Sequence, residues 1–125
     1  MLEFPAVLDR LARLTAFSAG RERALALRPV SDRDTVVRRQ RETAEAVRLD
    51  QLGIEVSLGG AHDIRERARA ASRGLALTAP ELLEVAGTIR AADRVRRAIL
   101  RVEAEAPLLA GIAEGILDLA TVRSL

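Results

Sequence analysis

Apolar positions recur along this chain at three- and four-residue steps and almost nowhere alternate. That period belongs to helices that bury one face. The longest stripe runs Leu82, Val85, Ala86, Ile89, Ala92, Val95, Ile99 and Val102, with Arg90, Arg94, Arg97 and Arg101 on the opposite side. Thr78-Ala79-Pro80-Glu81 opens it with a capping threonine, a proline tolerated in the first turn, and a glutamate three residues after the cap. This is the arrangement of a capping box. The pattern predicts one helix from Thr78 to Ala106, with about seven turns between Pro80 and Pro107 and Gly87 as its only weak helix former. A helix of that length cannot cover its own apolar stripe, so the other segments are expected to pack along it.

The other elements are shorter. Phe4, Val7, Leu8, Leu11 and Leu14 form a first stripe, with Pro5 near its start and Asp9, Arg10 and Arg13 toward water. Ser18 is the expected cap of a short second helix, Arg21 to Leu27, stopped by Pro29. Ser31-Asp32-Arg33-Asp34 joins a capping residue to acids in a first turn, where the helix dipole favours them. It opens a third helix of about five turns through Val36, Val37, Gln40, Thr43, Ala44 and Val47, with Gly53 as its expected C-terminal stop. Arg38–Glu42 and Arg41–Glu45 are expected ion pairs at (i, i+4) on its exposed side. Ile54-Glu55-Val56-Ser57-Leu58 alternates like a strand but stands alone, so it reads as an extended connector that tucks apolar side chains under helices, ended by Gly59-Gly60. Asp63 is the expected cap of a fourth helix from Ile64 to Ser72, closed by Gly74. After Pro107, the residues Leu108, Leu109, Ile112, Ile116 and Leu117 make a last amphipathic helix, and Thr121 onward reads as the start of a further element. The expected fold is all-α: one multi-helix, orthogonal or bundle-like domain over residues 1–125, organised on one long helix with a short extended connector.

Composition sharpens this picture. Apolar residues make up 49% of the 125, enough for a core, but only two are Phe and none is Trp or Tyr. Every basic residue is arginine, and the formal net charge is only +2, so the overall field is weak and does not itself call for a polyanion. Acids and bases are spread evenly over both halves, with no charged tail. Without cysteine there is no disulfide, thiolate metal site or thiol nucleophile. The start, Met1-Leu2-Glu3-Phe4-Pro5, has neither a basic n-region nor a long apolar run, so no signal peptide is expected. No apolar run is long enough to span a membrane, and a cytoplasmic protein is the expectation.

Candidate chemistry is sparse. His62 is the only histidine, and without a second histidine or a cysteine it makes no ordinary zinc set. Beside Asp63, in a loop before a helix, it reads as a loop or capping residue. The glycines match no phosphate loop, and a chain without lysine cannot carry the P-loop motif. Gly111 and Gly115 have the spacing of a close helix contact. The carboxylate pairs Asp32/Asp34 and Glu103/Glu105 point to different helix faces and read as surface charge. No serine or threonine has a His–Asp partner set, so no catalytic, cofactor-binding or metal-binding residue is expected here. The arginine clusters Arg38, Arg39, Arg41 and Arg94, Arg97, Arg101 are the candidate nucleic-acid contacts. They would act on backbone phosphates, because stacking aromatics are lacking.

Three stretches carry a resemblance. The first is Phe4-x-x-Val7-Leu8-x-x-Leu11-Ala12, then Thr15-Ala16-Phe17-Ser18-Ala19-Gly20-Arg21-Glu22 and Ala26-Leu27-Arg28-Pro29. The second is Glu42-Thr43-Ala44-Glu45-Ala46 with Leu58-Gly59-Gly60-x-x-Asp63-Ile64-Arg65. The third is Gly74-x-x-Leu77-Thr78-x-x-Glu81-Leu82-Leu83. In order and spacing they resemble the start of the bacterial MutS-type-two family, the MutS paralogues that lack the mismatch-reading domain. More distantly they resemble the opening of the core, or lever, domain of mismatch-repair MutS proteins. The resemblance covers roughly residues 2–105. It implies a parent protein with a helical core, a coiled-coil clamp, a dimerising P-loop ATPase that uses ATP and Mg, and a C-terminal Smr nuclease domain. Such a parent would act on branched DNA to restrain recombination, or on stalled ribosomes. This chain would supply only the first part of the core, with none of the family's catalytic positions and no cofactor of its own. Two other readings stand beside this one: an independent helical interaction or dimerisation module, and an arginine-mediated binder of nucleic-acid backbone.

Overall fold

The structure, a computed structural model, describes residues 3–116. Among them it is all-α, with six helices and no strand. They are α1 (Phe4–Arg13), α2 (Ser18–Leu25), α3 (Arg33–Gln51), α4 (Arg65–Ser72), α5 (Ala79–Leu100) and α6 (Pro107–Glu114). No helix among the described residues is long and apolar enough to cross a membrane. The chain gathers into two compact units. The first takes the chain up to Pro29 together with Gly59–Arg90; the second takes Val30–Leu58 together with the chain from Ala91 onward. Helix α5 contributes its first half to one unit and its second half to the other.

In the first unit α1 packs on α2. Leu8 and Ala12, one turn apart, are the buried positions of α1, and Ala24 is that of α2. Helix α2 begins at Ser18, three residues earlier than its pattern indicates, and Phe17 holds the cap position in extended backbone with no side-chain cap. Ser18 is therefore the first residue of the helix and not its cap. Helix α4 starts after Ile64, and the Asp63 carboxylate accepts from the backbone N–H of Arg65 at 3.2 Å, forming a local turn instead of the expected cap. The capping box at the start of α5 is present as expected: the Thr78 N–H donates to Glu81 at 2.8 Å and the Glu81 N–H donates to the Thr78 hydroxyl at 3.3 Å. Gly87 acquires a reason that the pattern did not show. A Cβ built there would stand 3.1 Å from the carbonyl oxygen of Gly60, so the missing side chain admits the 59–60 turn against α5.

In the second unit α3 packs on α6. Asp32, expected as a first-turn acid after a capping Ser31, is itself the cap of α3, accepting from the N–H of Thr35 at 3.0 Å and from its hydroxyl at 2.6 Å. The far end closes as a paired C-terminal turn. Gly53, at φ +72°, donates to Asp50, and Ile54 donates to Leu49 at 2.9 Å. The buried cluster is Val95 and Ile99 of α5 against Ala110 and Ala113 of α6, flanked by Leu100 and Leu109. The 54–58 connector is extended and forms no ladder. Ile54 and Val56 line a cavity of about 420 Å³ with Leu49, Ile99 and Leu109, but Val56 and Leu58 are exposed, so of the expected tucked side chains only Ile54 is half-buried.

Helix α5 is shorter than its pattern. It ends at Leu100, and residues 101–105 continue as tight turns, with Val102 donating to Ile99 and Glu105 to Val102. Pro107 forces the preceding residue out of helical backbone, and Ala106 sits at φ −144°, ψ 64°. The turn absorbs the change of direction before α6. The stripe is also uneven: Val95 and Ile99 are buried, Leu82 is exposed, and the carboxylate Asp93, outside the stripe, is buried. Ile116 lies beyond the end of α6, while Leu117 and the stretch from Thr121 lie outside the described residues.

Candidate functional site

One of the two ion pairs expected on α3 forms and the other does not. Arg38 does meet Glu42, at 3.2 Å. Glu45 does not meet Arg41. Its carboxylate instead accepts the N–H of Leu108 at 3.0 Å and of Leu109 at 2.8 Å. Helix α6 has no cap of its own, and its first residue, Pro107, has no N–H to offer. Glu45 therefore satisfies the first two free amides of α6 from a different helix.

With Glu45 so engaged, the side chain of Arg41 makes no ion pair or hydrogen bond among the described residues, and that of Arg33 makes none either. Arg33, Val37 and Arg41 follow one another at four-residue steps, on one face of α3. Together with Asp34, Arg38 and Leu108 they line an open depression of about 590 Å³. Of the six candidate arginines, Arg38 and Arg41 are brought together here, and Arg33 is a lining residue that sequence reading passed over. Its position four residues before Val37 and eight before Arg41 was the available signal. The other candidates do not line this depression. Arg94 donates to the Ser57 carbonyl at 3.4 Å, and Arg97 pairs with Asp93 at 3.1 Å. Arg101 is exposed in the turn after α5, and Arg39 lies outside the lining.

The first unit carries a second depression, of about 570 Å³, lined among others by Phe17, Glu22, His62, Asp63, Arg65 and Thr88. Its polar groups hold one another. Arg65 donates to Asp63 at 2.9 and 2.6 Å and to Glu22 at 2.6 Å. The hydrogen bonds from the Arg65 side chain, then from its backbone N–H, pull the Asp63 carboxyl down from its ordinary 3.8 to about 2. The same contacts, Asp63 first and Glu22 second, raise the Arg65 guanidinium above its already high range. His62 is a loop residue, as expected, and its N–H donates to the Thr88 hydroxyl at 2.9 Å. Among the described residues no group of three or more histidines, cysteines or carboxylates is placed to hold a metal ion. Asp93 has one oxygen on Arg97 and the other buried without a hydrogen-bond partner.

The chain is similar to several curated proteins. An Endonuclease MutS2 of Pelotomaculum thermopropionicum is 34% identical over 118 residues, which is 94% of this chain and 15% of that protein. One of Symbiobacterium thermophilum is 43% identical over 96 residues, 77% of this chain and 12% of the relative. One of Geobacillus thermodenitrificans is 37% identical over 125 residues, 100% of this chain and 16% of the relative. The chain thus spans only a small part of the length of the relatives it matches. No family model and no solved structure matches it.

Proposed function

The chain belongs to the MutS2 family, and we propose that its part in such a protein is that of a framework. In this reading it is the N-terminal section of the helical core, without catalytic groups of its own. The parent would be an ATP-dependent, DNA-processing endonuclease that restrains recombination, or a factor that acts on stalled ribosomes. ATP, Mg, DNA and the dimer contact would all be bound by other parts of that parent.

One observation carries the framework reading beyond the family. The first unit leaves aliphatic side chains uncovered on faces that a finished surface would make polar. On α1, Val7, Leu11 and Leu14 are exposed at 57%, 41% and 79%. With Phe4 they repeat at alternating steps of three and four, the spacing of a helix-pairing seam. Leu82 and Leu83 of α5 are exposed at 54% and 68%. Remaining domains of the parent are the natural cover for such faces. The test is enzymatic and structural together. The isolated chain should neither hydrolyse ATP nor cut branched DNA, while charged substitutions at Val7 and Leu11 should loosen the parent's assembly. ATP turnover by the isolated chain, or a parent indifferent to Val7→Glu and Leu11→Glu, overturns the reading.

A further inference from the structure

The depression between Arg33 and Arg41 combines features that do not suit a nucleic-acid backbone. Its two arginines whose side chains have no partner among the described residues, Arg33 and Arg41, stand eight residues apart on α3, about 12 Å along the helix axis. The floor between them is apolar, made of Val37 with Leu108 of α6 beside it. There is no aromatic side chain in the lining for a base to stack on. The nearby N-terminus of α6, otherwise an attraction for phosphate, is already occupied by the carboxylate of Glu45.

The complementary pattern is two carboxylates two helical turns apart with an aliphatic residue midway. We infer that this face of α3 docks an acidic amphipathic helix of a protein partner, of the form Glu-x-x-x-Leu-x-x-x-Glu. Each carboxylate meets one guanidinium, and the leucine sits on Val37 and Leu108. A carboxylate matches the fork of a guanidinium, and an apolar residue between the two gives the contact a register that charge alone would not. Arg38 adds no free charge, because Glu42 holds it, so the recognition falls on Arg33 and Arg41. This inference does not depend on the family reading.

The probe is a fluorescent, helix-stapled peptide carrying that motif in an alanine and glutamine background, titrated into the 125-residue chain. Binding is expected and should weaken as salt rises. Arg33→Gln and Arg41→Gln should each weaken it about two- to fivefold, and the double reversal to glutamate should abolish it. Both arginines are exposed, so the fold should persist, which circular dichroism checks. Two peptide controls leave the protein untouched: replacing both glutamates by glutamine, or the leucine by serine, should each weaken binding. The inference is overturned if the acidic peptide does not bind, if the glutamine peptide binds equally well, or if a single-stranded oligothymidylate binds through Arg33 and Arg41 more tightly than the peptide.

Discussion

Glu45→Ala is the substitution whose effect follows most directly from the geometry. It removes one carboxylate and leaves two backbone donors, the amides of Leu108 and Leu109, without the partners they hold at 3.0 and 2.8 Å. Loss of a helix cap costs about 1–2 kcal/mol, and loss of a negative charge at a helix N-terminus adds about 0.3–1 kcal/mol. The sum is about 2 kcal/mol, because water reaches these half-buried amides only in part. In a chain of this size the thermal midpoint should fall by about 6–10 °C. Glu45→Gln keeps one acceptor oxygen and loses the charge, so it should cost about half as much. Glu42→Ala is the matched control, on the same helix and also removing a carboxylate. Its partner Arg38 is 67% exposed, and such a pair contributes about 0.3–0.5 kcal/mol. Urea unfolding measures all three, and amide exchange at Leu108 and Leu109 locates the damage. If Glu45→Ala and Glu42→Ala cost the same, or if those two amides keep their protection, Glu45 does not cap α6.

Gly53→Ala meets no neighbouring atom but must adopt φ +72°, so urea unfolding should show a loss of about 1–2 kcal/mol, and an unchanged stability would mean that α3 ends differently. Thr88→Val removes the acceptor of the His62 N–H and should cost about 1 kcal/mol, with faster exchange of that one amide as its signature. Asp63 should titrate near 2 by NMR, and Arg65→Gln should return it toward 3.8. Its folded-state value lies below the unfolded one, so its contribution is whole above about 4 and is lost as pH falls toward 2, in the same direction as those of Asp32 and Glu81, whose values are lowered by Thr35 and Thr78.

Local signals were legible and long-range ones were not. Asp32 at the start of α3, the Thr78–Glu81 box, Gly53 and Pro107 all act within a few residues of themselves, so the chain announces them. The same local logic assigned Glu45 to Arg41, four residues away. The amides of α6, sixty-three and sixty-four residues on, offered two donors in place of one exposed partner and took the carboxylate. Gly87 looked like a flaw in a long helix until the Gly60 carbonyl came up against it. The early end of α5 belongs to the same class. The helical period runs past Leu100, but the chain must turn to lay Ala110 and Ala113 against Val95 and Ile99. The arginine site was half legible: three of the six candidates were on α3, but only the loss of Glu45 to α6 leaves Arg41 without a side-chain partner among the described residues.

Periodicity also cannot say which of two apolar faces turns inward, and here that choice bears on function. Helix α1 has one face of Leu8 and Ala12 and another of Val7, Leu11 and Leu14, and the first is the buried one. Across both units most of the buried apolar residues are alanines: Ala12, Ala24, Ala61, Ala91, Ala106, Ala110 and Ala113. Small side chains let helices approach closely, but each contributes little transfer free energy, roughly a third of what a leucine does. Leu8, Leu49, Val95 and Ile99 are the larger aliphatics inside, while Val7, Leu11, Leu14, Leu82 and Leu83 are among those left outside. A protein selected to stand alone would gain from the opposite arrangement, with leucines inside and alanines out. This order supports the proposed framework reading, in which the chain's own contacts set geometry and the exposed aliphatics are left for what packs against it. This is why charged residues at Val7 and Leu11 should leave the isolated chain folded yet weaken its hold on the rest of a MutS2 protein.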